Sequence, residues 1–331
     1  MESAGLRGRR RAALVSNNLP LEDCKKSADD LEGFEPPRYT IDLSLPPNQR
    51  YRHVAADFIP QSATLPVLFD EIVEEIAPRV SINKARWLAC LMLRRVYYKE
   101  ETEELQGISE VIGIELWLLV AFNVLLDLFM GCTSGAVRVD DLRGGTKMLH
   151  FRTLDWGMPQ LRKIIVQLDF VSKPDEEVIA SSITYLGYTG VLTAVRQGLT
   201  LIKSSTDFIV ATNHDAAEEG EPSFVGANTQ DNSLQTLIPG KNDLTEDSVY
   251  RKRLATKLWS NSTRVPRSDL KLSKRSKRQP QLPTEEMVVE WMGTFPIANE
   301  LTHFAAVMDP KTGKVVWVKR YLEPCEQEWQ M

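Results

Sequence analysis

The stretch that most constrains this chain runs GCTSGAVRVDDLRGGTKMLHFRTLDWG, from Gly131 to Gly157. It places Cys132 at the start of a β-rich run, turns at Gly144-Gly145, and returns an Arg-x-x-Asp, Arg152 and Asp155, toward the cysteine. Glycines in tandem supply the left-handed backbone of a tight connection, so a hairpin is expected here. A cysteine followed by two small hydroxyl residues and approached by a guanidinium and a carboxylate has the parts of a nucleophile and its supports. The same residues also fit a small buried hydrophobe beside an ordinary surface ion pair, and residue types alone do not separate the two.

Composition narrows the class. The 331 residues are 43% hydrophobic and 26% charged, enough to bury a full core in one large domain or two. A net charge of −5 argues against nucleic acid as the main partner, because phosphate binding wants a basic surface. Four cysteines (Cys24, Cys90, Cys132, Cys325), with no CxxC pair and four histidines, make neither a zinc site nor a dense disulfide framework. The basic start, Arg7 and Arg9 to Arg11, has no apolar run behind it, so the chain as written is expected in the cytoplasm, or in the lysosome or vacuole if that start is misassigned. The most apolar segment, Ile112 to Met130, is broken by Glu115, Asn123 and Asp127 and reads as a buried or membrane-resting helix.

Along the chain, Tyr39 to Leu45 alternates like an edge strand or extended arm. From Arg50 to about Met130 the periodicity is helical, with Leu68, Ile72 and Ile76 and then Trp87, Leu91, Leu93 and Val96 at helix spacing. After Cys132 the texture changes to strands at Ile164 to Val171, Val178 to Thr184, Phe208 to Thr212, and a hairpin of Phe304 to Met308 and Val315 to Leu322 around DPKTGK. Helical segments interrupt them near Ser248 to Trp259 and Glu285 to Met292. The basic run Arg264 to Arg278 reads as a solvated loop.

Several of these stretches, in order, resemble one family. EDCKKS at Glu22 to Ser27, PPRYTIDLSLPPNQRY at Pro36 to Tyr51, TEELQGISEVIGIELWLLVAFNVLLDLF at Thr102 to Phe129, GCTSG, FRTLDWG, SSITYLGYTGVLTAVRQGLTL, ATNHD and EPCEQEW are similar to segments of the acid ceramidases and N-acylethanolamine-hydrolysing acid amidases, which are N-terminal-nucleophile hydrolases. The resemblance implies an α+β fold: an αββα sandwich at residues 132–331, preceded by a helical α-subunit at residues 1–131. Self-cleavage before Cys132 would leave an α/β heterodimer. Cys132 would attack the amide of ceramide or a related N-acyl lipid, and its freed α-amine would act as base and then acid. No metal or organic cofactor is implied.

The remaining roles follow from the same resemblance. Asp155 would orient the α-amine and Arg152 would steady the nucleophile and favour its thiolate. Asn213, in ATNHD, would help hold the oxyanion, and a second arginine in YRKRLA corresponds to Arg251, with Arg253 as the substitute. Trp117, Leu118, Leu119, Phe122 and Leu125 would line the acyl approach or simply form core, and contact with a membrane surface is compatible with such a substrate. His150 and His214 receive no role. The sequence departs from the family pattern in two ways: a family segment is missing between about residues 201 and 208, and Trp259 stands where the cysteine partnering Cys24 is expected. A sandwich lacking the central strands of that segment would expose unpaired edges and lose pocket wall, so the chain as written is expected to be inactive or nearly so on ceramide. The alternative is a non-catalytic relative with a lipid-binding or regulatory role.

Overall fold

The computed structural model describes residues 35–129, 131–141, 144–198, 207–212, 241–263 and 282–324. The helical segment resolves into seven helices: α1 (Pro47–Arg50), α2 (Arg52–Asp57), α3 (Ile59–Ser62), α4 (Leu65–Ile76), α5 (Ile82–Met92), α6 (Lys99–Ile112) and α7 (Leu116–Phe129). Before them, β1 (Arg38–Asp42) is the expected edge strand, pairing in parallel with β4 (Ile165–Val171). The long hairpin forms β2 (Gly131–Asp140) and β3 (Thr146–Asp155), turning at Gly144 and Gly145 with φ of 96° and 92°. Then come β5 (Val178–Tyr185), β6 (Thr193–Val195), β7 (Phe208–Thr212), α8 (Lys241–Ser262), α9 (Glu285–Gly293), β8 (Thr302–Asp309) and β9 (Lys314–Arg320). Cys24, Asn213, His214, Cys325 and the basic run Arg264 to Arg278 lie outside the described residues.

The strands form two sheets, β1-β4-β5-β6 and β7-β2-β3-β8-β9. Side-chain packing gives their order in the layers. Along β8, Phe304 and Ala306 join the core shared with β4, β5 and helices α2, α4, α6 and α7. Their neighbours Ala305 and Val307 join a second core with Ala255 of α8 and Val288, Trp291 and Met292 of α9. Because successive strand residues point to opposite faces, the five-stranded sheet is covered by the first sheet on one side and by α8 and α9 on the other. The helices of the first segment close the outer face of the four-stranded sheet, which completes an αββα arrangement.

Two local results refine the sequence reading. Helix α5 buries none of its residues: Trp87 and Met92 are 68% and 69% exposed, so the helical periodicity there marks an uncovered apolar face. The helix ends at Met92, which leaves Leu93 and Val96 beyond it. Separately, the junction at residues 199–206 joins β6 to β7, and both are edge strands among the described residues. The strands β2, β3, β4, β5 and β8 each have neighbours on two sides. A segment missing at this junction therefore falls at the margins of the two sheets, and their interior ladders are intact.

Candidate active site

Strand β2 enters directly from α7, and its register with β3 sets Gly131 opposite Asp155, Cys132 opposite Leu154 and Ser134 opposite Arg152. Cys132, Ser134 and Arg152 thus share the sheet face that looks toward the other sheet. Gly135 makes the local path obligatory, because a Cβ there would meet the Phe151 ring at 2.2 Å and the Ile209 carbonyl oxygen at 2.5 Å. Without a side chain at 135, β3 and β7 can both close on β2.

The guanidinium of Arg152 reaches the thiol, with Nη2 donating to Cys132 Sγ at 3.6 Å. One residue past the cysteine's pairing partner, Asp155 is completely buried. Its Oδ1 accepts from Thr302 Oγ1 at 2.6 Å, and its Oδ2 accepts from Thr153 Oγ1 at 3.4 Å and from Nη1 of Arg251. Burial pushes the Asp155 carboxyl above the usual range, while the charge of Arg251 and the hydrogen bonds from Thr302, Thr153 and Arg251 pull against it. Arg251 is itself 1% exposed and also donates to Ser248 Oγ at 3.1 Å. Arg253, two residues along α8, is exposed. Of the two arginines left open by the sequence, Arg251 is the one placed against the carboxylate.

Two contacts are thus formed: Arg152 of β3 meets Cys132 of β2, and Arg251 of α8 meets Asp155, whose backbone pairs with Gly131, the residue before the cysteine. Strand β7 is described as far as Thr212, which pairs with Thr133 beside the cysteine, and Asn213 follows it outside the described residues. The residues sequence reasoning missed are Thr302, Thr153 and Ser248. Hydroxyls carry no periodic signal, and only the alternation of Thr153 and Asp155 on one strand hinted at a pair on a common face.

His150 and His303 are buried, which disfavours their charged forms. His150 Nε2 lies 2.9 Å from Ser134 Oγ, and burial, then the charge of Arg152, lowers its pKa to about 4. His303 is held at both nitrogens: Nε2 donates to the Trp156 carbonyl at 3.0 Å, which leaves Nδ1 to accept from the Tyr185 hydroxyl at 2.6 Å. Burial, then Arg162, lowers its pKa to about 3.

The residues expected to meet an acyl chain divide. Leu118, Leu119 and Phe122 are buried in the shared core. Leu125, with Phe69, Ile72 and Val124, lines an apolar cavity of about 240 Å³ between α4, α5 and α7. Trp259 stacks on Phe208 with ring centroids 5.3 Å apart, so the position where the family resemblance implies a disulfide cysteine packs α8 on β7.

Comparison with known proteins gives a consistent set of relatives. Residues 34–97 match the family described as the beta subunit of N-acylethanolamine-hydrolyzing acid amidase. That description attaches the letter β to part of the segment before Cys132, for which α-subunit was the expected name. The chain is 29% identical to acid ceramidase of Rattus norvegicus over 196 residues, covering 54% of this chain and 48% of that protein. It is 30% identical to N-acylethanolamine-hydrolyzing acid amidase of Caenorhabditis elegans over 174 residues, covering 50% and 46%. A solved structure of the Caenorhabditis elegans N-acylethanolamine-hydrolyzing acid amidase ortholog overlays with a TM-score of 0.30 at 17% identity, covering 57% of this chain and 100% of that one. The chain spans about half the length of the curated relatives it matches.

Proposed function

Since the chain is a relative of the acid ceramidases and N-acylethanolamine-hydrolysing acid amidases, we propose that it is an amidohydrolase of N-acyl lipids, with ceramide first and N-acylethanolamines second as substrates. The observation that carries the reading is the approach of Arg152 to the Cys132 thiol at 3.6 Å, with a buried Asp155–Arg251 pair at the residue that pairs with Gly131 in the strand register. A buried charge pair is costly to assemble, and its place across from the Gly131–Cys132 bond gives it a use in this reading.

In this reading the bond between Gly131 and Cys132 is cut first, which frees the α-amine of Cys132 and yields an α/β heterodimer. The amine, with an unperturbed pKa of roughly 7.7 to 8.0, takes the thiol proton as Sγ attacks the amide carbonyl. A tetrahedral intermediate forms, the amine returns the proton to the departing sphingoid or ethanolamine nitrogen, and an acyl-thioester remains. Water activated by the same amine then releases the fatty acid. Arg152 holds the sulfur. Asp155, opposite Gly131 in the strand register, receives the new ammonium, and Arg251 keeps that carboxylate ionised and oriented. Asn213 supplies an oxyanion donor, a role worth about 2.7 to 4 kcal/mol where such a donor is deleted. The exposed apolar face of α5 suits contact with the membrane surface from which such substrates come.

A second reading, a non-catalytic lipid-binding relative, is favoured by the short connection at residues 196–207 between β6 and β7, where the family resemblance implies additional chain. The two separate experimentally. Intact-mass analysis of the purified full chain is expected to show cleavage between Gly131 and Cys132, and Cys132→Ala is expected to stay whole. Release of fatty acid from a labelled N-acylsphingosine by the cleaved product supports the amidase. Turnover by uncut wild-type protein would remove the α-amine mechanism, and a folded, uncut and inactive wild type would leave the lipid-binding reading.

A further inference from the structure

The turn at residues 299–302 is built more heavily than a connection between α9 and β8 requires. The Asn299 side-chain Oδ1 accepts from the Leu301 amide at 2.9 Å, and the Thr302 amide donates to the Asn299 carbonyl at 3.0 Å. The Asn299 amide donates to Thr302 Oγ1 at 2.9 Å. Under it lies Arg162, 1% exposed, whose Nη2 donates to the Glu300 carbonyl at 2.5 Å and whose Nη1 donates to the Thr302 carbonyl at 2.8 Å and to the Tyr321 and Glu323 carbonyls at 3.2 Å each. A buried guanidinium spent on backbone oxygens immobilises backbone.

What this fixes is one hydroxyl. A threonine oxygen has one proton to give, and the amide of Asn299 already occupies its acceptor side. The proton of Thr302 has two acceptors within reach, and Asp155 Oδ1 at 2.6 Å, wholly buried, is much the nearer, with Asn299 Oδ1 at 3.4 Å. A carboxylate in that setting has few ways to find a replacement donor.

We propose that Thr302, held by the Asn299 turn and clamped by Arg162, is a positioning residue that fixes the rotamer and the ionised state of Asp155 for the reaction at Cys132. It touches neither the thiol nor any reacting atom, and it acts only through the carboxylate. The inference rests on the amidase reading for its catalytic consequence, but its structural premise can be tested without activity. The groups facing Asp155 are Arg251 of α8 and Thr153 of β3, while the charge of Asp155 also acts on Tyr185 of β5. Arg162 and His303 lie behind the turn. Of these, the Asp155 carboxyl is the group whose hold on a proton a lost Thr302 hydroxyl donor changes directly.

The experiment compares the full chain with Thr302→Val, which keeps the shape and deletes the donor, and with Thr302→Ser, which keeps the donor. Thermal midpoints across pH 4 to 8 come first, because they need no turnover. Losing the donor raises an already raised carboxyl further. The folded state then holds its proton to higher pH than the unfolded chain does, so the Val deficit is expected to be small in acid and to widen as pH rises above about 4. The widening is expected to vanish when Thr302→Val is placed in an Asp155→Asn chain, and Thr302→Ser is expected to follow the wild type. On an N-acyl substrate, Thr302→Val is expected to lose about tenfold in kcat with KM within about twofold, and its acid limb is expected to move to higher pH. A Val deficit that is flat with pH, or one that persists unchanged in the Asp155→Asn chain, would overturn the proposal. An inactive wild type with a pH-dependent Val deficit would instead overturn the amidase reading and leave the positioning of Asp155 standing.

Discussion

Among the described residues two arginines are almost completely buried, and they are satisfied in opposite ways. Arg251 answers a carboxylate, Asp155, and one hydroxyl. Arg162 answers the backbone, with four carbonyl oxygens from residues 300 to 323. A charge met by another charge can be undone by a proton or by loss of its partner, whereas hydrogen bonds to peptide carbonyls do not titrate. The first arrangement belongs to a site whose charge state matters and the second to a frame. Their nearness, through Thr302, is the reason the frame can serve the site.

The sharpest way to break this comparison is Arg162→Met. Hydrogen bonds to a charged group contribute about 1.5 to 3 kcal/mol each, and two of the carbonyls left behind, of Thr302 and Tyr321, belong to buried residues. Allowing for non-additivity, the variant is expected to lose about 4 kcal/mol or more by chemical denaturation. Most of that cost is expected to remain when Asp155→Asn is added, because the carbonyls stay unpaired. Arg251→Met is expected to cost about 3 to 5 kcal/mol, since it strands a buried carboxylate. Here Asp155→Asn is expected to return a large part of the loss. Equal behaviour of the two arginines in these double mutants would erase the distinction between frame and site.

A smaller effect concerns the buried imidazoles. His150 and His303 have folded pKa values lowered to about 4 and about 3 by burial, against about 6.5 in an unfolded chain. The unfolded chain therefore takes up protons first as pH falls below about 6.5, and stability drains away toward pH 4. His150→Gln is expected to flatten that acid limb of the thermal midpoint. An unchanged limb would mean that His150 charges inside the fold, in conflict with its burial beside Arg152.

How far the sequence could be read follows the same division. The β2–β3 hairpin, the strands β4, β5, β7, β8 and β9 and the helices α8 and α9 were legible, because alternation and tandem glycines are local signals. The approach of Arg152 to Cys132 was legible too, since a hairpin turning at Gly144-Gly145 brings the two strands together. Arg251 against Arg253 was not, because one turn of helix offers both and only packing on β2 and β7 chooses. Arg162 gave no sign at all: its partners are backbone oxygens up to 161 residues away, and a carbonyl is the same in every residue. The face of α5 misled in the other direction. Its apolar spacing is genuine, but periodicity records that a face is apolar and is silent on what covers it.

The smallest expected effect is the one that isolates packing from sequence. Arg251 and Arg253 share one helix, one charge and neighbouring positions, so any difference between them must come from where the helix lies. Arg253 is exposed, and an exposed helical arginine replaced by methionine shifts stability by about 0.5 kcal/mol or less. Arg253→Met is therefore expected to melt with the wild type, to be cleaved before Cys132 to the same extent in intact-mass analysis, and to keep the same kcat on an N-acyl substrate. Arg251→Met is expected to fail on all three counts, because its guanidinium is what meets the Asp155 carboxylate inside the sheet-to-helix layer. Should Arg253→Met instead abolish cleavage while Arg251→Met is cleaved normally, helix α8 would have to be turned by about two residues about its axis. The buried pair at Asp155 would then belong to a different arginine.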